Sequence, residues 1–166
     1  MKKLTMLMLG LGFTVSASVN AAGLAVVDLA KVVESSTYLK QQNASLTQSV
    51  KPTSTRLEQL GKEIESLQQK AQTDGQKMNQ ADIQKLTAQY QSKLSEFNST
   101  QQGLQTKVQS SLQAMNTTFE SRVKQAAEQL RKENNLDFIL NKNSAIASDA
   151  QYDLTDKMIQ KVNAIK

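Results

Sequence analysis

"QTDGQKMNQAD" (residues 72–82) separates two long polar segments and decides how they are arranged. Asp74-Gly75 offers a turn and a helix C-cap. Asn79, with Asp82 three residues on, reads as the N-cap of a new helix. Upstream, apolar or small residues fall at Leu39, Leu46, Val50, Thr53, Leu57, Leu60, Ile64, Leu67 and Ala71. From Leu46 the steps alternate between four and three, a heptad stripe one side wide. Pro52 lies within it and is expected to kink or restart the helix. Downstream the stripe is Ile83, Leu86, Tyr90, Leu94, Phe97, Gln101, Leu104, Val108, Leu112, Met115, Phe119, Val123, Ala126 and Leu130. Its mean step is near 3.6, and repeated steps of four break the strict heptad. Such stutters unwind a supercoil, so a fairly straight rod is expected. Two long helices joined by a short turn pack antiparallel. The spacing therefore predicts a helical hairpin over residues 40–134, with its tip near 72–80.

The coat around these stripes is unusual. Residues 97–119 carry a single charge, Lys107, among Gln, Ser, Thr and Asn. Elsewhere Glu58–Lys62, Glu120–Lys124 and Glu128–Lys132 have the spacing of helix-supporting ion pairs. Lys70, Lys77, Lys85 and Lys93 outnumber Asp74 and Asp82 near the turn, which makes a modestly basic tip. A solvated helix face is the simplest reading of those charges.

The two ends differ from the middle. Leu24–Val27 is a short β-type run. "NLDFILN" (residues 135–141) is β-like, with Leu136, Phe138 and Leu140 on one face. Lys142-Asn143 is a plausible tight turn, after which Ser144–Ser148 is expected to pair back as a further strand. Asp153 caps a short amphipathic helix carrying Leu154, Met158, Val162 and Ile165. Residues 22–39 and 135–166 together suggest a small β-containing body. It is too small to bury much apolar surface alone, and its sheet edges are open. Assembly through those edges is the economical solution. The expected fold class is α+β, mostly α: a long antiparallel hairpin projecting from a body built of both chain ends.

The N-terminus reads as an export signal over residues 1–21. Lys2 and Lys3 precede an apolar stretch, Leu4–Val15, and Val19-Asn20-Ala21 suits cleavage between Ala21 and Ala22. No Cys exists for a lipid anchor or a disulfide. Without Lys2 and Lys3 the 20 basic residues become 18 against 15 acidic ones, a net of +3. That mild excess, with no dense basic patch and few stacking aromatics, argues against nucleic acid as a partner. With no His and no Cys, the usual nucleophilic and zinc constellations are excluded. Mature glycines are isolated, so no phosphate loop exists. Asp149, Asp153 and Asp156 at a helix start are explained by capping. No enzyme and no cofactor are expected. Asn43, Asn98 and Asn116 begin glycosylation triplets that an Asn/Ser/Thr-rich chain produces by chance.

The chain resembles the Skp/OmpH family of periplasmic chaperones. The resemblance rests on the signal ending "SVNAAG" (residues 18–23), on "LAVVDLAKVV" (24–33) and on "NNLDFILNKNSAIASDAQYDLTDKMIQKVN" (134–163), which includes the family's D-[IL]-T at Asp153-Leu154-Thr155. It implies a homotrimer with a central barrel-like body, for which Leu24, Val26, Leu136, Phe138, Leu140 and Ile146 are contact candidates. It implies that unfolded outer-membrane proteins are held between the arms without ATP. Met78, Ile83, Leu86, Tyr90, Leu94, Phe97, Leu104, Met115 and Phe119 are then candidates to face such a client, packing of the hairpin's own seam being the competing role of each. The basic tip brings an anionic lipid or lipopolysaccharide surface into view as a partner, although these arms hold less Arg than better-known members. A coiled-coil adaptor or spacer of the cell envelope, binding one folded partner, is the alternative reading.

Overall fold

The computed structural model describes residues 23–166. The expected signal, including Ala21 and Ala22, lies outside the described residues. Strand β1 (Leu24–Val27) leads into helix α1 (Leu29–Ser35), then α2 (Thr37–Asp74). One 3-10 turn, Gly75–Lys77, connects α2 to α3 (Gln80–Glu133). Strand β2 (Phe138–Asn141) and helix α4 (Thr155–Ala164) complete the chain.

Local rules account for the arm. Asn79 accepts a bond from the Asp82 amide at 2.9 Å and starts α3 as its spacing predicts. At about 1.5 Å per residue, α3 is roughly 80 Å long. Helix α2 runs unbroken through Pro52. Pro52 lies on the exposed side, where the carbonyl orphaned by its missing N–H is open to water. The break in the first limb falls instead at Ser36, between α1 and α2. Gly75 caps α2 in a right-handed conformation (φ −54°) and continues as the 3-10 turn, so no left-handed glycine is needed there.

Among the described residues the left-handed one is Asn135 (φ 51°), at the end of α3. The Leu136 amide donates to the Arg131 carbonyl (2.9 Å) and the Asn135 amide to that of Lys132 (3.3 Å). This is a Schellman close, with Asn in the place usually taken by Gly. It turns the chain directly onto β1. Gly23 lies against this turn. A Cβ on Gly23 would sit 2.9 Å from the Asn135 carbonyl oxygen and 3.1 Å from Leu136 Cα. The Gly23 carbonyl accepts from the Asp137 and Phe138 amides, while its own amide donates to Asp137 Oδ2 at 3.0 Å.

β1 and β2 pair in parallel, Leu24 opposite Phe138 through Val27 opposite Asn141. Parallel strands need a crossover connection, and here the whole hairpin supplies it. Two expectations are corrected. Ser144–Ser148 is not a strand: Lys142–Ser144 forms a 3-10 turn, and the following residues run out to Ala150–Tyr152, another 3-10 turn. Leu136, Phe138 and Leu140 also do not share a face. β2 starts only at Phe138. Leu136 packs on the core with Ile139, while Phe138 and Leu140 point away from it.

The core comprises Ala25, Val27, Val32, Ala126, Leu130, Leu154, Met158 and Val162. The last turns of α3 are thus part of the body. Asp153 ties its pieces together. Its Oδ2 accepts from Lys142 Nζ at 2.7 Å. Its Oδ1 accepts from the Thr155 amide at 2.9 Å and from the Thr155 hydroxyl. The Thr155 hydroxyl oxygen accepts from the Asp28 amide (2.9 Å), and the Leu154 amide donates to the Val26 carbonyl (2.9 Å). The Asp-Leu-Thr triplet therefore closes one edge of β1 as well as starting α4. The Lys142 ammonium, then the Thr155 donors, hold the Asp153 carboxyl at about 2, below its usual 3.8.

Candidate interaction surfaces

Among the described residues, two surfaces are left without partners. The first is on the body. Alternation along the sheet puts Ala25, Val27 and Ile139 inward. Leu24, Phe138 and Leu140 remain exposed on the other side, and Tyr152 and Ile146 are exposed beside them. Ile146 is in full contact with solvent (107 %). A groove of about 420 Å³ runs between Leu24, Val26, Leu140, Ala145 and Tyr152. Among the described residues β2 has no neighbour on its far edge. Of the six body candidates, Leu24, Phe138, Leu140 and Ile146 are therefore open. Val26 is buried within the chain, and Leu136 is taken up by the core. Tyr152 had no signal in the sequence beyond its bulk.

The second surface is the arm. Its seam is uneven. Leu60 is the one buried residue of α2, and Met115 is buried in α3. Leu86, Tyr90, Phe97 and Leu104 are half-buried, while Ile83, Leu94 and Leu112 are about 40 % exposed. Phe119 packs on the body core. The stripe residues are thus brought to one line, but the partner helix does not cover them all. Near the tip Leu67, Ala71, Met78, Ile83, Leu86 and Tyr90 line a groove of about 360 Å³.

Leu60 is flanked by four charges that the sequence reading did not pair. Arg56 and Glu63 stand on α2 at four before and three after Leu60. Lys93 and Glu96 face them from α3. Lys93 Nζ lies 2.7 Å from Glu63 and 3.6 Å from Glu96, and Arg56 binds Glu96 through Nε at 3.0 Å. Lys93 holds the Glu63 carboxyl below its usual range, and Arg56 does the same for Glu96. The available signal was opposite charge beside the stripe residues Leu60 and Phe97, where cross-helix pairs form. Gln68 donates to the Tyr90 hydroxyl (3.0 Å) and Lys107 to the Ser49 carbonyl (2.9 Å), in the same register.

The ion pairs expected from spacing are absent. Glu58–Lys62, Glu120–Lys124 and Glu128–Lys132 do not bond, and Glu128 pairs with Arg131 instead (3.1 Å). A fully solvated pair gains too little to fix two long side chains. Lys93 also leaves the basic tip, because two glutamates neutralise it well below the turn. Lys70, Lys77 and Lys85 remain exposed there, and Lys70 and Lys85 share a shallow site with Asp82. No described helix is long and apolar enough to cross a membrane.

Comparison with known proteins agrees with this architecture. A family model described as "Outer membrane protein (OmpH-like)" matches residues 23–162. A "Skp-like protein" of Pseudomonas aeruginosa is 22 % identical over 143 residues, covering 86 % of this chain and 85 % of the relative. The crystal structure of an OmpH-like outer membrane chaperone from Caulobacter crescentus CB15 superposes with a TM-score of 0.74 at 15 % identity, covering 87 % of this chain and 85 % of the other. At that identity the likeness concerns the fold. The family match takes in both strands, the whole hairpin and most of α4, so the chain belongs to the OmpH-like outer membrane protein family, the Skp/OmpH family that its terminal segments resemble.

Proposed function

We propose that this protein is an ATP-independent periplasmic holdase, which keeps unfolded outer-membrane proteins from aggregating in a cavity between the arms of a homotrimer. Its family is one of chaperones, not of enzymes. The observation that carries the reading is the incompletely covered stripe of the arm. A holdase must meet a greasy chain through many weak contacts without locking onto it. Leu86, Tyr90, Leu94, Phe97 and Leu104 offer half-available apolar surface, and from Phe97 to Phe119 the coat around it is neutral apart from Lys107. Each such contact is worth a fraction of the roughly 1.5–3 kcal/mol of a fully buried side chain. Met78 adds an adaptable contact at the tip. Trimerisation would use the open face of Leu24, Phe138 and Leu140 and the free edge of β2. The exposed tip lysines supply at most a weak attraction to anionic lipid or lipopolysaccharide.

The test is the mass of the mature protein, alone and with a urea-denatured outer-membrane β-barrel protein diluted into buffer without nucleotide. A trimer that keeps the barrel protein soluble in a defined complex is expected. A monomer or dimer that lets it aggregate would overturn the reading and favour an envelope adaptor. The coat is tested separately by changing the exposed Gln102, Gln105, Gln109 and Gln113 to Glu. Client binding should weaken while helicity is unchanged. Unaltered affinity in a still-helical variant would remove the coat from the account.

A further inference from the structure

We propose that Asn163, near the end of α4, is a positioning residue that pins the root of α2 and so stiffens the arm. This stiffness does not depend on what the arms hold. The corner it acts on is Ser36, the single extended residue (φ −68°, ψ 114°) between α1 and α2. A one-residue corner leaves orphan carbonyls at the end of α1 and orphan amides at the start of α2. Ser36 answers two of these itself. Its amide donates to the Val33 carbonyl, and its hydroxyl oxygen accepts from the Leu39 amide at 3.2 Å.

Asn163 spans the corner with one carboxamide. Its Nδ2 donates to the Ser35 carbonyl at 3.2 Å. Its Oδ1 accepts from the Thr37 amide at 2.9 Å and from the Thr37 hydroxyl at 3.1 Å. One end of the amide group thus holds α1 and the other holds α2. The pin is itself firmly seated, because the adjacent Val162 and the Met158 side chain are fully buried in the core. Arg122 of α3 reinforces the joint. Its guanidinium lies 4.1 Å from the centroid of the Tyr38 ring, and it donates to the Ile165 carbonyl just past α4.

The mechanical consequence follows from how the two limbs enter the body. α3 is continuous into the core through Ala126 and Leu130. α2 reaches the body through the corner, where Thr37 is bonded to Asn163 and Tyr38 lies against Arg122. A hairpin rooted at both limbs can bend only if one helix slides along the other. The cluster of Arg56, Glu63, Lys93 and Glu96 and the Lys107–Ser49 bond resist that slide farther out. With the Asn163 bonds removed, only the Ser36 corner, the Arg122–Tyr38 contact and those seam contacts resist sliding, and the arm bends more widely.

The chain has no Cys, so paired spin labels can be placed without background. Labels at Gln76→Cys on the tip and Lys157→Cys on α4, diluted among unlabelled chains, report the tip-to-body distance distribution. Asn163→Leu should widen that distribution about twofold while the helical signal stays intact, and should speed exchange of the Thr37 amide roughly tenfold. Asn163→Asp keeps the acceptor for Thr37 but loses the donor to Ser35, so an intermediate widening is expected. An unchanged width and unchanged exchange in folded Asn163→Leu would overturn the proposal. If Asn163→Leu does not fold, the same readings on Asn163→Asp decide it.

Discussion

The body and the arm use the same chain in opposite ways. In the body, eight buried residues from β1, α1, α3, α4 and Leu154 just before α4 form one cluster, and every element depends on segments far away in sequence. In the arm, 38 residues of α2 bury one side chain, Leu60. The arm tolerates this because helix hydrogen bonds are satisfied within each helix, so the backbone needs no partner. Strands have no such independence. β1 and β2 must find each other, and β2 still has an open edge. The lesson is that helices can be left thinly packed, and so keep side chains available, whereas the small sheet must be locked in place and then covered.

Substitutions can break this contrast if it is wrong. The largest effect is expected at Leu130, which is 1 % exposed in the core. Leu130→Ala should lower the unfolding free energy by about 3–5 kcal/mol in a denaturant titration. Leu60→Ala in the arm should cost less, about 2–3 kcal/mol, because a two-helix seam can close over the gap. Asp153 comes next. Its carboxyl titrates at about 2 in the folded protein against an ordinary 3.8, so its contribution is complete above about pH 4 and is lost as pH falls through about 2. The loss should approach about 2 kcal/mol over that window, and Asp153→Asn should flatten this part of the stability–pH curve. The smallest effect is expected at Leu94, already 38 % exposed, where Leu94→Ala should cost below about 1 kcal/mol. A cost at Leu94 equal to that at Leu60 would mean the seam is uniformly packed and the contrast is false.

Much of the arm was legible in the sequence. Periodicity near 3.6 and the Asn79 cap act within a few residues, so the hairpin and its tip follow from local rules. The candidate surfaces were legible only by line. Pattern placed Leu60 and Leu94 on equivalent stripes, yet one is fully buried and the other open, because burial depends on the facing helix. The same reason hid the Arg56, Glu63, Lys93 and Glu96 cluster and misplaced Lys93 at the tip. Its partners stand across the seam, up to 40 residues away. The i,i+4 pairs that spacing suggested failed because water competes for both ends.

The ends of the chain divide along the same line. The sequence by itself determined that both termini form one small β-containing body, because short apolar runs of β type flank the hairpin at each end. It also marked Asp153 as the start of the last helix, although Leu154 takes the N-cap position itself. Only the tertiary structure decided that β1 lies parallel to β2, that residues 144–148 stay out of the sheet, and that Asp153 and Asn163 bind segments more than 100 residues away. Helix signals are written by neighbours three and four positions apart. Strand partners and corner-spanning amides are chosen by space, after the 54-residue α3 has carried the chain back to its start.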